Sequence, residues 1–77
     1  MSMTKNGPPS DANLSASWRA HRAYVVDLAY SMLRDIGAAE DAVQEAFSRL
    51  AQADRDEIQD ERGWLVVVTS RICLDRV

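Results

Sequence analysis

The chain has 77 residues, of which 47% are hydrophobic and 27% are charged, and its formal net charge is −3. These values predict one small folded domain, and they exclude a disordered chain and a basic protein that coats nucleic acid without sequence preference. Its apolar runs are too short to span a bilayer, and its first residues lack the apolar segment of a secretory signal.

The first fifteen residues are expected to form a disordered tail, which places the folded domain at residues 16–77. The stretch Asn6-Gly7-Pro8-Pro9-Ser10-Asp11 is rich in turn-forming and helix-breaking residues. It shows no hydrophobic periodicity, so we assign it no function.

The first predicted helix runs from about Ser17 to Gly37. Its apolar residues recur at steps of three and four, which indicates one buried stripe. Ser15 or Ser17 can cap its start, and Gly37 suits the left-handed position after a last helical turn. The stripe consists of Trp18, His21, Val25, Leu28, Met32 and Ile36, widened by Ala29 and Leu33.

The second predicted helix runs from about Ala39 to Ala53. Glu40 and Asp41 are expected in its first turn, where the helix dipole stabilises a negative charge by about 0.3–1 kcal/mol. The mostly charged segment from Gln52 to Arg62 predicts a loop, with or without a short helical turn. The apolar stripe of this helix is Ala39, Ala42, Val43, Ala46, Phe47 and Leu50.

The last segment has conflicting local signals. Trp64-Leu65-Val66-Val67-Val68-Thr69 is rich in the β-branched and aromatic residues typical of strands. However, one strand beside two helices would leave its backbone groups unpaired. We therefore predict a third helix, which makes the fold an all-α, compact three-helix domain. Its expected stripe is Trp64 or Leu65, Val68, Ile72, and Val77 or Asp75.

Charge is unevenly distributed along the chain. Eight acids lie between Glu40 and Glu61 against only Arg49 and Arg55, whereas arginines outnumber acids from Arg62 onward. Such a division could serve two different partners. It is also typical of an ordinary solvated surface, which the charges alone favour.

The residue types used in catalysis and metal binding are sparse. His21 is the only histidine and Cys73 the only cysteine, and both lie in apolar stripes or segments where packing roles are expected. One cysteine cannot form an internal disulfide, which fits a reducing, cytoplasmic location. We therefore predict no enzymatic activity, no cofactor, no metal site, no small-molecule substrate and no membrane partner.

Three aspartates, Asp54, Asp56 and Asp60, have some of the spacing of a calcium-binding loop. The motif also needs an oxygen ligand, a glycine and a glutamate at three further positions of the loop. The residues at those positions are Ile58, Gln59 and Leu65, so we reject the calcium site.

Three pieces of the chain, taken in order, resemble region 2 of the bacterial extracytoplasmic-function (ECF) sigma factors. The most diagnostic piece is Ala39-Glu40-Asp41-Ala42-Val43-Gln44-Glu45-Ala46-Phe47, which is similar to the family pattern Asp-Ala-Glu-Asp-Leu-Val-Gln-Glu-x-Phe. Residues 21–33 resemble the family's opening helix, and residues 64–76 resemble its final helix. The segments 62–65 and 70–75 further resemble the actinobacterial subgroups related to sigma factors I and J.

The resemblance implies an RNA polymerase sigma factor fragment whose second helix binds the clamp helices of the polymerase core β′ subunit. Charge complementarity to a basic partner would then set encounter rate and register. Arg49 either joins this surface or forms a surface pair with Glu45. The polymerase-binding residues that the resemblance implies are Asp41, Gln44, Glu45, Ser48 and Arg49.

The resemblance also implies recognition and melting of the promoter minus-ten element. In the family, the loop before the last helix captures a flipped base of the non-template strand, and this loop corresponds to Asp54–Gly63. Trp64 is either a stacking wedge or, more often at such a position, a core residue. The implied DNA-binding residues are Arg55, Gln59, Arg62, Trp64, Ser70, Arg71 and Arg76.

The chain departs from the family pattern in several places. Ala38 replaces a common aspartate, which predicts the loss of an N-cap worth about 1 kcal/mol. Val67 occupies a commonly basic position, and Ser70-Arg71 replaces the usual Arg-Asn pair. The family's helix-turn-helix domain, region 4, is absent from these 77 residues.

Two other interpretations remain open from the sequence. A helical protein-interaction module could bind polymerase or a regulator without contacting DNA, and a small helical enzyme subunit is a remoter choice. The sequence also leaves open whether an anti-sigma factor is a further partner.

Overall fold

A computed structural model describes the backbone of residues 9–77 and the side chains of residues 14–54 and 56–77. It contains helix α1 (Pro9–Leu33), helix α2 (Ile36–Gln52), a single 3-10 turn (Arg55–Glu57) and helix α3 (Glu61–Arg76). Each helix packs against the other two, which confirms the predicted all-α fold. The helical choice for the last segment is confirmed as well.

Helix α1 begins earlier than its sequence pattern predicts. It starts at Pro9 rather than near Ser17, which matches the preference of proline for the first helical turn, where its missing N–H is not needed. Of the predicted tail, residues 9–15 are therefore helical, and residues 1–8 lie outside the described part of the chain.

Helices α1 and α2 are joined by only two residues, Arg34 and Asp35. Arg34 has a left-handed backbone (φ 59°), and its N–H donates to the carbonyl of Tyr30 at 2.8 Å, which closes α1. Asp35 is extended, and its Oδ1 accepts from the N–H of Ala38 at 3.1 Å, so it is the N-cap of α2. The predicted helix end at Gly37 is wrong, because Gly37 lies in the first turn of α2.

This boundary corrects three further expectations. Glu40 and Asp41 lie beyond the first turn of α2, which holds no acid, so the predicted dipole stabilisation does not apply. Ala38 was expected to cost α2 its N-cap, but Asp35 is the N-cap of this helix. Ile36 belongs to α2 and is 56% exposed, so it is not part of the α1 stripe.

Replacing Asp35 by alanine is expected to lower the free energy of unfolding by about 1 kcal/mol, because the Ala38 N–H loses its acceptor. Urea denaturation followed by circular dichroism measures this change. Asp27→Ala is the matched control: Asp27 is exposed on α1 and caps no helix, and the change in stability should stay within about 0.5 kcal/mol. Equal losses in the two variants would contradict the assignment of the cap.

The core lies between the three helices and includes every residue of the predicted α2 stripe. In α1, Val25 and Ala29 are fully buried, whereas Trp18, His21, Leu28 and Met32 are only partly buried. The Phe47 ring meets the Trp18 ring edge-on, with 4.9 Å between centroids. The buried hydrophobic residues are Val25, Val26, Ala29, Ala39, Ala42, Val43, Ala46, Phe47, Leu50, Leu65, Ile72 and Cys73.

The buried face of α3 differs from its predicted stripe. Its buried residues are Leu65, Thr69, Ile72 and Cys73, whereas Val68 is only partly buried. Asp75 and Val77, the predicted end of the stripe, are exposed. Thr69 and Cys73 are fully buried on this face instead.

At the N-terminus of α3, the capping residue lies close to Gly63, the residue before Trp64. Asp60 caps the helix, with its Oδ1 accepting from the N–H of Gly63 at 3.1 Å. A Cβ on Gly63 would lie 2.7 Å from the other carboxylate oxygen of Asp60. A larger residue at this position would therefore force the capping carboxylate of Asp60 to move.

Candidate functional site

The exposed surface of α2 presents the polymerase-binding residues that the resemblance implies. Asp41 and Ser48 are exposed along it, and Asp41 forms no ion pair within the described residues. Gln44 and Ser48 also line a cavity of about 500 Å³ between α1 and α2, whose apolar wall includes Trp18 and Phe47. We call this cavity the Trp18 groove. The α2 face, as we use the term below, is Asp41, Gln44, Glu45, Ser48 and Arg49.

The wall of the Trp18 groove is held by contacts between α1 and α2. The Arg22 guanidinium lies 5.4 Å from the centre of the Trp18 ring and pairs with Glu40 at 2.8 Å. A smaller cavity of about 210 Å³ beside this pair also reaches Gln44. Gln44 therefore projects where polar side chains border apolar rings, an arrangement that suits partner recognition.

Glu45 pairs with two arginines rather than presenting a bare negative charge. Its Oε2 accepts from Arg49 Nη2 at 2.7 Å, and its Oε1 accepts from Arg76 Nη2 at 3.2 Å. Of the two alternatives considered for Arg49, the structure therefore shows the surface pair with Glu45. Among the described residues, Asp41 is therefore the one acidic residue of the α2 face that forms no ion pair.

The outer side of α3 forms a second cavity, of about 450 Å³, which we call the α3 groove. It brings together Gln59, Trp64 and Arg71, three of the DNA-binding residues that the resemblance implies. The tryptophan packs partly against the core and also lines the groove. The lining residues are Glu57, Ile58, Gln59, Asp60, Gly63, Trp64, Val67, Val68 and Arg71.

The remaining implied DNA-binding residues do not line this groove. Arg62 lies against the ring of Tyr24 on α1, and Arg76 pairs with Glu45. Ser70 is partly buried, and the side chain of Arg55 lies outside the described residues. The sequence reasoning missed Val67, which is 50% exposed, and its position three residues after Trp64 could have indicated a shared helix face.

The two side chains considered for catalysis, His21 and Cys73, differ in their burial. His21 is partly buried, with its Nε2 3.9 Å from Glu61, and the Ser17 hydroxyl donates to the same carboxylate. Cys73 is fully buried, and this burial raises the pKa of its thiol against a smaller opposing effect of Arg76.

Two of the three aspartates of the rejected calcium motif accept hydrogen bonds from backbone N–H groups. Asp54 Oδ1 accepts from the N–H of Asp56 at 3.1 Å, and Asp60 caps α3. Among the described residues, no group of three histidine, cysteine or acidic side chains could hold a metal ion. In the same part of the chain, no helix is both long and apolar enough to cross a membrane.

Comparison with known proteins identifies the family. Residues 18–77 match the family described as Sigma-70 region 2, and the three helices described above fit that assignment. The chain therefore belongs to the Sigma-70 region 2 family.

The chain is similar to two sigma factors of Mycobacterium tuberculosis. It is 69% identical over 64 residues to the "Probable ECF RNA polymerase sigma factor SigI" of strain CDC 1551 / Oshkosh. The aligned residues cover 83% of the chain and 22% of that relative. It is 37% identical over 62 residues to the "ECF RNA polymerase sigma factor SigJ" of strain H37Rv, covering 80% and 20%. The resemblance read from the sequence is thus confirmed.

The chain spans only about a fifth of the length of these curated relatives. No solved structure matches it. That this chain binds the partners of the full-length relatives is therefore a proposal.

Proposed function

We propose that this chain is the part of an RNA polymerase sigma factor that binds core polymerase and helps to recognise and melt the promoter minus-ten element. The observation that carries the proposal is the placement of two distinct surfaces, the α2 face and the α3 groove, on one family-identified domain. It acts in the cytoplasm as a binding subunit and performs no catalytic step itself.

The α2 face is the proposed docking surface for the β′ clamp helices. Its backbone is rigid because the opposite side of α2 is buried at all six stripe positions. An apolar side chain of the partner enters the Trp18 groove, and Gln44 and Ser48 supply hydrogen bonds at its rim. Since Glu45 is already paired, Asp41 contributes most of the electrostatic steering.

The α3 groove is the proposed site for one flipped base of the non-template strand. Extruding a base costs a few kcal/mol, and stacking on an aromatic side chain returns about 1–3 kcal/mol per base. Trp64 and Val67 provide the apolar surface, and Gln59 and Arg71 provide polar groups for the base edge. The carboxylates of Glu57 and Asp60 repel phosphate, which favours entry of the base rather than the backbone.

Two binding measurements test the proposal. The 77-residue chain is titrated with a β′ clamp-helix fragment, and separately with single-stranded DNA selected on the immobilised chain from a randomised 12-nucleotide library. We expect both to bind, and the selected strand to bind more tightly than its duplex. Clamp-helix binding without single-strand binding would favour a polymerase-interaction module that does not contact DNA, and failure of both would overturn the proposal.

Arg71→Gln is expected to weaken single-strand binding roughly fivefold or more, because Arg71 supplies the positive charge of the α3 groove. Fluorescence anisotropy with a labelled strand measures the change. Arg34→Gln, which removes an exposed arginine from the link between α1 and α2, is the matched control for lost charge. The same loss in both variants would show that the groove has no special role.

A further inference from the structure

Arg19 lines the Trp18 groove but is not among the polymerase-binding residues that the resemblance implies. It follows Trp18 on α1, it is exposed, and it lines the groove together with Gln44 and Ser48 of α2. It is the one charged residue among the described residues that line this groove. The proposed function assigns the polar contacts at the groove to α2 alone, so the charge that α1 supplies there has no role yet.

The two arginines nearest Trp18 in the sequence differ in their partners. Arg22 pairs with Glu40 at 2.8 Å and lies 5.4 Å from the centre of the Trp18 ring, so its charge is compensated within the domain. Arg19 forms no ion pair within the described residues. Its guanidinium is therefore open to an acid from outside the domain, and its planar fork can bind both oxygens of a carboxylate at once.

The rim of the groove around Arg19 is rich in hydrogen-bond donors. Ser15 on α1 and Gln44 and Ser48 on α2 are all exposed and line the same cavity. Their hydroxyl and amide groups can donate to a carboxylate, as the guanidinium does, and the described lining includes no acid that would repel it. Charge-assisted hydrogen bonds of this kind are about twice as strong as those between neutral groups.

The unpaired charges on this side of the domain have opposite signs. Asp41 forms no ion pair within the described residues, whereas Glu45 is held by two arginines. Asp41 does not line the Trp18 groove, but Gln44, three residues later on α2, does. The surface therefore presents a negative charge outside the groove and a positive charge within it. A partner that fits carries a base opposite Asp41 and an acid opposite Arg19, rather than a uniformly basic surface.

We infer that Arg19 is a specificity-determining residue of the docking surface, where it pairs with an acidic side chain of the β′ clamp helices. The inference rests on the proposed function, since it requires the Trp18 groove to receive those helices. Because one cavity admits both groups, the acid lies about three or four residues from the apolar side chain that packs on Trp18, on the same face of the partner helix. A base at that position would meet a like charge and be rejected.

Replacing Arg19 by glutamine tests the pairing through the sign of its effect. The net charge of the chain is −3, so the loss of any arginine makes the chain more acidic and strengthens its general attraction to a basic partner. Specific pairing predicts the opposite, and we expect Arg19→Gln to weaken clamp-helix binding at least about fivefold in titration calorimetry. Arg34→Gln, which removes an exposed arginine outside the groove, should leave binding unchanged or slightly tighter.

A scan of the acids in the β′ clamp-helix fragment locates the partner residue. Each acid of the fragment is replaced in turn by its amide, and binding is measured with the unaltered chain and with Arg19→Gln, both shown by circular dichroism to be folded. We expect one replacement to weaken binding of the unaltered chain but to have little effect on the variant, because a shared interaction is lost only once. Arg19→Glu combined with lysine at that position of the fragment should restore binding that either change alone weakens.

Two results would overturn the inference while leaving the proposed function intact. In the first, Arg19→Gln binds the clamp helices at least as tightly as the unaltered chain, although Gln44→Ala with Glu45→Lys abolishes binding. In the second, Arg19→Gln weakens binding but no acid of the fragment is coupled to it, which would assign Arg19 to the shape of the groove rather than to pairing. If the unaltered chain does not bind the fragment, the proposed function itself fails at the polymerase step.

Discussion

Replacing Gln44 by alanine and Glu45 by lysine together is expected to abolish binding to the β′ clamp helices while the chain stays helical. The first change removes the amide at the rim of the Trp18 groove. The second places a third positive charge beside Arg49 and Arg76, which now share the Glu45 carboxylate. Losing a buried interfacial hydrogen bond to a charged group typically costs about 2–5 kcal/mol in binding.

Folding should withstand this double substitution. Both side chains project from the solvent side of α2, and exposed ion pairs contribute only about 0–1 kcal/mol each. Like charges four residues apart on a helix add a further penalty of about 0.2–0.5 kcal/mol. Binding is measured by titration calorimetry, and helicity by circular dichroism in the same buffer.

A matched variant tests whether the loss of binding depends on where the two changes are made or only on the added positive charge. Gln52→Ala with Asp27→Lys makes the same types of change at exposed positions outside the α2 face. We expect this variant to bind the clamp helices with nearly unaltered affinity. If the Gln44→Ala, Glu45→Lys variant bound the clamp helices as tightly as the unaltered chain, the assignment of the α2 face as the docking surface would be wrong.

Helix α2 shows how far a sequence pattern alone can lead. Its apolar period matches the helical repeat, and all six predicted positions are buried, because one amphipathic face leaves little choice of orientation. Its start was predicted wrongly, because Gly37 is a strong signal for a helix end. The structure instead uses Arg34 in a left-handed conformation and Asp35 as a cap, two weaker signals that reinforce each other.

Helix α3 shows where the pattern is insufficient. Apolar residues surround much of this helix, so the sequence does not determine which side is buried. Thr69 and Cys73 are buried, while Val67 and Leu74 are at least half exposed. Tertiary packing against α1 and α2 makes this choice, and it exceeds the small differences in local propensity.

The orientation of α3 also decides how the implied DNA-binding residues divide. Arg71 points into the α3 groove, whereas Arg62 and Arg76 lie on other sides and contact Tyr24 and Glu45. A family motif gives the residue types but not the residues that each long side chain contacts in the folded domain. These partners depend on contacts between helices that are distant in sequence.

Replacing Phe47 by alanine is expected to remove a large part of the stability of the fold. Phe47 is only 4% exposed and meets the Trp18 ring edge-on. Phenylalanine-to-alanine changes in protein cores cost about 3–5 kcal/mol, and a domain of this size has a total stability of only about 4–12 kcal/mol. Urea denaturation followed by circular dichroism should show a much lower midpoint, whereas Phe47→Leu should shift it far less because most of the side-chain volume remains. If alanine and leucine gave equally small shifts, α1 and α2 would not depend on this contact, and the Trp18 groove beside it would lose its structural basis.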